Sequence, residues 1–250
     1  MKGMAALLAG AMLMTATSAM AYPSAPQGTA LQNVLNSITE GPTAGVSSTN
    51  AQTDFIADGS DAYWSITASG GSVATMIIEV AGLANQNQLW VYDSANKNNA
   101  VKLFDGGVSA GGQAMLSIKD DGSVFVNFTD STIDFAGNSF GYFLKNNSNT
   151  FYSDTSLNEA AASGENADHM MAYQGNGDTV KLPTLAAGTW TANEYILAFE
   201  DLPYGPGDFD YDDMVLMVES VNPVPEPGTM LLLGAGFLGL AIYGKRRKNA

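Results

Sequence analysis

Ala114-Met115-Leu116-Ser117-Ile118-Lys119-Asp120-Asp121-Gly122-Ser123-Val124-Phe125-Val126-Asn127-Phe128 decides the fold. Two short runs with alternating apolar positions flank an Asp-Gly turn, which is the pattern of an antiparallel hairpin. The same grammar repeats on both sides. Toward the N-terminus come Ala62–Thr67, the β-branched apolar run Val73–Val80, Leu89–Tyr92 and Val101–Phe104, with turn residues read at Asp93–Asn99 and Asp105–Gly107. Toward the C-terminus come Val124–Phe128, Phe140–Leu144 and Thr150–Tyr152 around an Asn-rich turn, then His169–Tyr173, Tyr195–Phe199 and Met214–Val218. Strands at regular spacing with Gly, Asn and Asp between them predict an all-β domain, an antiparallel β-sandwich or jelly roll, over 54–220. Residues 22–53 are small and polar, but Leu31, Val34, Leu35 and Ile38 recur at helical spacing and predict one short amphipathic helix followed by a loop.

The two ends have a different character. Lys2, an apolar stretch from Met4 to Met14, and small residues at Ala19 and Ala21 make residues 1–21 a secretory signal peptide cut before Tyr22, with the Sec translocon and signal peptidase as partners. At the other end, three prolines in Val221-Asn222-Pro223-Val224-Pro225-Glu226-Pro227 remove backbone donors. Residues 221–228 are therefore read as a linker. Residues 229–244 carry no charge and are just long enough to span a bilayer, and Lys245, Arg246, Arg247 and Lys248 in the tail 245–250 stay cytoplasmic by the positive-inside rule.

Charge and composition exclude several functions. Five of the 10 basic residues lie in the terminal segments, so Tyr22–Asn222 holds five lysines, no arginine and 24 acids, a net charge of −19. Nucleic acid is excluded as a partner on that balance, and cations are favoured. The absence of cysteine excludes disulfides, thiolate chemistry and cysteine-ligated metals. His169 is the only histidine. A multi-histidine zinc site is therefore impossible, and no Gly-x-Ser-x-Gly elbow accompanies it, so it is read as packing beside the acidic segment that follows. Tyr63, Ser65, Trp64 and Trp90 could offer a sugar-stacking face, but aromatic residues in strands are more often core and are read so here.

That acidic segment is Phe199-Glu200-Asp201-Leu202-Pro203-Tyr204-Gly205-Pro206-Gly207-Asp208-Phe209-Asp210-Tyr211-Asp212-Asp213, with six carboxylates in the 14 residues from Glu200 to Asp213. Such crowding repels itself unless it is solvated or neutralised. Calcium takes six to eight oxygen ligands, and alternate acids Asp208, Asp210 and Asp212 suit a looped calcium site, with Glu200, Asp201 and Asp213 available to complete it. The spacing is not that of an EF-hand.

Two resemblances follow from these residues. Val224-Pro225-Glu226-Pro227-Gly228, a Leu/Gly-rich apolar segment and a basic terminus resemble the PEP-CTERM sorting domain. The resemblance implies recognition of Pro225, Glu226, Pro227 and Gly228 by an exosortase, removal of the helix, and delivery to the cell surface or exopolysaccharide matrix of a Gram-negative bacterium. The stretch 140–219, with Phe199-Glu200-Asp201, Asp208-Phe209-Asp210-Tyr211-Asp212-Asp213 and the preceding Ala167–Tyr173, resembles an exported domain of unknown function. That resemblance implies a β-sandwich, calcium binding and no assigned enzymatic activity. The expectation is a non-enzymatic, structural or adhesive surface protein stiffened by calcium. A glycan-binding module, and less favoured a secreted polysaccharide hydrolase, are the alternatives.

Overall fold

The structure is a computed structural model that describes residues 25–69, 71–79, 86–160, 166–205 and 207–224. The leader with Ala19 and Ala21, and everything from Pro225 onward, including the apolar segment 229–244 and the basic tail, lie outside the described residues.

The chain begins with helix α1 (Ala30–Ile38), which runs straight into β1 (Thr39–Gly41). There follow β2 (Tyr63–Ile66), β3 (Ser72–Glu79), β4 (Gln88–Asp93), β5 (Asn96–Phe104), β6 (Gln113–Ile118), β7 (Ser123–Val126), β8 (Thr129–Asp134), β9 (Phe140–Lys145) and β10 (Thr150–Tyr152). A single 3-10 turn, Thr155–Leu157, precedes β11 (Met170–Gln174), β12 (Thr179–Val180), β13 (Gly188–Thr189), β14 (Glu194–Phe199), β15 (Met214–Glu219) and β16 (Val221–Val224). The fold is nearly all β and every strand pairing is antiparallel, as the alternation and Asp-Gly turns predict.

Seven strands form one sheet in the order β11-β14-β15-β3-β6-β7-β8, and a second sheet runs β16-β2-β9-β4-β5 with β10 added beside β9. The larger core fills the space between them. Trp64, Leu89, Val91, Phe140, Tyr142 and Leu144 from the second sheet meet Leu116, Val124, Met170, Tyr195, Leu197, Phe199, Met214 and Leu216 from the first.

The opposite face of the seven-stranded sheet is covered too. Met171, Tyr173, Ile196, Ala198, Val215 and Met217 point away from the main core and pack on Leu31, Val34, Leu35 and Ile38 of α1, with Val180, Leu182 and Trp190. Every apolar position of the predicted helix is thus buried. A small third sheet, β1-β12-β13, completes this outer layer. Double coverage explains why β11, β14 and β15 read as unbroken apolar runs rather than alternating ones, since a strand buried on both faces has no polar side to show.

Three sequence readings are corrected. Val221–Val224 is not a linker: β16 pairs with β2 from Val221↔Ile66 to Val224↔Tyr63. It is an edge strand, where half the backbone groups face no partner and Pro223 is tolerated, and Val221 is fully buried in the main core. Asn96–Asn99 is not turn but the start of β5. The turn is only Ser94-Ala95, closed by the Asp93↔Asn96 pairing and by the Ala95 amide donating to Asp93 Oδ1 at 3.0 Å. Finally, β7 stops at Val126. Asn127 and Phe128 form a two-residue turn with φ of 49° and 65°, and the chain returns as β8.

Candidate functional site: an acidic cluster at the end of β14

β14 ends at Phe199, and Glu200 and Asp201 follow at once. The loop to β15 then brings Asp210 and Asp213 back to them. One carboxylate oxygen each from Glu200, Asp210 and Asp213 lies within 4.8 Å of the others.

The loop is shaped by its aromatics. Phe209 and Tyr211 hold φ of 54° and 57°, a left-handed conformation that costs a bulky residue roughly 1–2 kcal/mol. Burial offsets that cost. Phe209 is 6 % exposed and Tyr211 fully buried in the second core. The Tyr211 hydroxyl donates to the Asp168 carbonyl at 2.7 Å, and the Phe209 carbonyl accepts from the Gln27 amide at 2.7 Å. Gly207 lets the loop close on Glu200, for a Cβ there would stand 3.2 Å from Glu200 Oε1.

The six predicted ligands therefore separate. Glu200, Asp210 and Asp213 form the cluster. Asp201 adjoins it, its amide donating to Asp213 Oδ2 at 3.0 Å. Asp212 stands outside the group, with its amide on Asp210 Oδ1 at 3.3 Å. Asp208 is exposed on the loop. Of the evenly spaced Asp208, Asp210 and Asp212, Asp210 joins the cluster. Two left-handed residues spoil the simple alternation.

The cluster is short of hydrogen-bond donors. Glu200 is fully buried; its Oε1 accepts from the Leu202 amide at 3.2 Å, while its Oε2 is buried with no hydrogen-bond partner. Burial, then the Asp213 and Asp208 charges, push the Glu200 carboxyl up to about 8. Burial and Asp201 push Asp213 to about 7, and burial with the Asp210 hydrogen bond and charge pushes Asp212 to about 6. Asp201 is raised as well, chiefly by burial.

Sequence reasoning missed the neutral partners. Asn87 Nδ2 donates to Asp201 Oδ2 at 2.7 Å, and Asn146 Nδ2 to the Asp201 carbonyl at 2.9 Å. Asn87 Oδ1 is a second buried acceptor without a donor. Nothing in Asn85-Gln86-Asn87 signals this, because the contact is made across 114 residues. His169 packs where the sequence suggested. It is fully buried, 4.2 Å from the Phe151 ring, with Nε2 2.9 Å from Glu159 Oε1, and its carbonyl accepts from the Glu200 amide at 3.0 Å. Burial works against Glu159 ionisation, but the His169 and Tyr204 hydrogen bonds prevail and hold its carboxyl down to about 2.

Comparison with known families agrees with both ends of this picture. A family model described as Domain of unknown function (DUF4114) matches residues 135–221, which include β9 to β15 and the whole acidic loop. One described as PEP-CTERM protein-sorting motif matches residues 223–248. The chain carries that β-rich domain of unknown function followed directly by a PEP-CTERM sorting motif. The motif marks it as an exported, membrane-transiting protein of Gram-negative bacteria that an exosortase processes. No curated protein and no solved structure matches the chain.

Proposed function

We propose that this exosortase-sorted protein is a non-enzymatic structural or adhesive component of the cell surface or exopolysaccharide matrix. Its β-sandwich is locked by one calcium ion at Glu200, Asp210 and Asp213, with Asp201 and Asn87 adjoining. The observation that carries this is the buried Glu200 Oε2 with no donor, beside two further carboxylates within 4.8 Å. Oxygen atoms at that separation suit a hard cation bound at roughly 2.3–2.6 Å. Leaving the site to protons instead would waste two orphaned acceptors in the interior. Calcium would neutralise the repulsion and tie the β14–β15 loop to the end of β14; it is not asked to do chemistry. The buried, ring-packed His169 speaks against acid–base catalysis at this end of the domain.

The test is calorimetric titration of the full chain, purified in mild detergent, with calcium, alongside the Glu200→Gln/Asp210→Asn/Asp213→Asn variant. Wild type is expected to bind and to gain thermal stability, and the variant to do neither. Absence of binding at millimolar calcium overturns the metal reading. Immunodetection in the matrix fraction tests the destination.

A further inference from the structure

The outer face of the β16-β2-β9-β4-β5 sheet is built unlike the rest of this acidic domain. Side chains on one face of a strand alternate, so Trp90 and Tyr92 of β4, Phe143 and Lys145 of β9, Lys102 of β5 and Tyr152 of β10 all project away from the main core. The register sets them in a row: Trp90 stands opposite Lys102 on one side and Phe143 on the other, and Phe143 stands opposite Tyr152. The Trp90 and Phe143 rings stack at 5.7 Å and 8°. Tyr152 stands edge-on to Tyr92 at 5.4 Å, and Tyr63 edge-on to Tyr92 at 6.2 Å.

The cations gather on this band. Lys97 lies 5.1 Å from the Tyr152 ring centre, and Lys102 and Lys145 lie 5.8 and 5.9 Å from that of Trp90. Three of the five lysines between Tyr22 and Asn222 thus crowd one aromatic face of a domain with 24 acids. Lys102 is paired with Asp105 at 2.8 Å, whereas Lys97 and Lys145 have no carboxylate within salt-bridge distance among the described residues. The band is fixed in place. Trp90 Nε1 donates to Gln88 Oε1 at 3.2 Å, and Gln88 Nε2 donates to the same Asp105 Oδ1 that Lys102 holds.

We propose that this face binds an acidic polysaccharide, a chain of uronate-type sugars. Carboxylates would meet the Lys97 and Lys145 ammonium groups, and sugar C–H faces would rest on the half-buried Trp90 and Tyr152 rings, with the Gln88 amide beside them for hydroxyls. Charge complementarity selects the anion, since Tyr22–Asn222 carries a net −19 and this patch gathers three of its five lysines, so within that domain it is where a polyanion can approach. A bilayer is a poorer fit: the exposed large apolar residues among those described are Val46 and Phe128, and neither belongs to the band. The inference goes beyond the calcium reading and needs no metal.

Trp90 also supplies the readout, because Trp64 and Trp190 are 0 % and 1 % exposed and respond little to a solvent quencher. The full chain in detergent is titrated with hexagalacturonate, and protection of its tryptophan fluorescence from acrylamide is followed. Protection is expected, weakening with salt. Affinity should fall about tenfold or more in Trp90→Ala and in the exposed double variant Lys97→Glu/Lys145→Glu, each lost contact being of the order that tenfold represents. Maltohexaose should not bind. The proposal is overturned if hexagalacturonate fails to bind, if the lysine variant binds it unchanged, if polyglutamate binds equally well, or if anionic phosphatidylglycerol vesicles capture the protein and protect Trp90 instead.

Discussion

Phe128 sits at the tip of the β7–β8 hairpin, 83 % exposed, with φ at 65°. Its ring gains no burial to offset a backbone conformation that L-residues adopt at a cost. Glycine there would complete an Asn-Gly turn of the kind two-residue hairpins favour. Phe128→Gly is therefore expected to stabilise the protein by about 1 kcal/mol, read as a raised urea midpoint with unchanged slope. Gly141 presents the reverse case. A Cβ there would fall 2.3 Å from the Tyr92 ring, and Tyr92 is 1 % exposed beneath Tyr63, Phe143 and Tyr152. The ring has nowhere to go, so Gly141→Ala should destabilise by roughly 1–3 kcal/mol in the same unfolding experiment. Single residues also mark where the sequence was hard to read. Phe128 looked like the end of a strand because aromatic residues favour strands, and only its positive φ shows otherwise. Asp208 and Asp212 looked like close neighbours of Asp210 because a regular spacing was assumed for a loop that Phe209 and Tyr211 bend twice.

At the scale of elements, legibility followed burial. The α1 stripe and the runs at β9, β14 and β15 were plain in the sequence because their apolar positions are all buried, on one face or on two. The pieces missed were the three-residue β1, β8, whose residues are exposed or half-buried, the two-residue β12 and β13, and β16, which proline disguised. None of these shows a hydrophobic period long enough to be recognised. The β1-β12-β13 part of the covering layer went unread, although the lack of alternation in Tyr195–Phe199 and Met214–Val218 fits strands buried on both faces. The position of β16 has a consequence for truncation. Stopping the chain after Val224 keeps the β2 ladder and the buried Val221, whereas stopping after Ser220 removes both. Burial of a valine side chain alone is worth roughly 1.5–3 kcal/mol, so the shorter chain should lose many degrees of Tm while the longer one melts like the full protein. Equal melting temperatures would restore the boundary at 220. Because Pro225 follows β16 without an intervening residue, the exosortase tripeptide is tethered to the folded sheet itself.

Across the whole molecule, most of the raised carboxyls lie in or beside the acidic loop, and they set the response to pH; Glu219, at the far end of β15, is raised as well by burial and by Glu194. In the folded chain Glu200 stands at about 8, Asp213 and Asp168 at about 7 and Asp212 at about 6, Asp168 being raised by burial and by Asp58. Their ordinary values are 4.5 for glutamate and 3.8 for aspartate. Between those limits the folded chain holds more protons than the unfolded one, so stability falls as pH rises from about 4 to about 8. Glu159, held at about 2, works in the opposite sense, but its contribution is complete once pH exceeds 4.5 and does not change across the upper part of that window. A chelated sample should accordingly show a Tm that declines from about pH 5 to pH 8. Calcium inverts the trend if it takes the place of those protons, for deprotonation then creates ligands instead of repulsion and the ion binds only the folded site. The two Tm curves should therefore converge toward pH 5 and separate with rising pH, the calcium-loaded protein ahead by the widest margin near pH 8. Parallel curves, or a chelated protein that grows more stable toward pH 8, would show that the acidic cluster neither stores protons nor exchanges them for a metal. In a protein sorted to the outside, such an exchange would tie the rigidity of the β14–β15 loop to the calcium and pH of its surroundings.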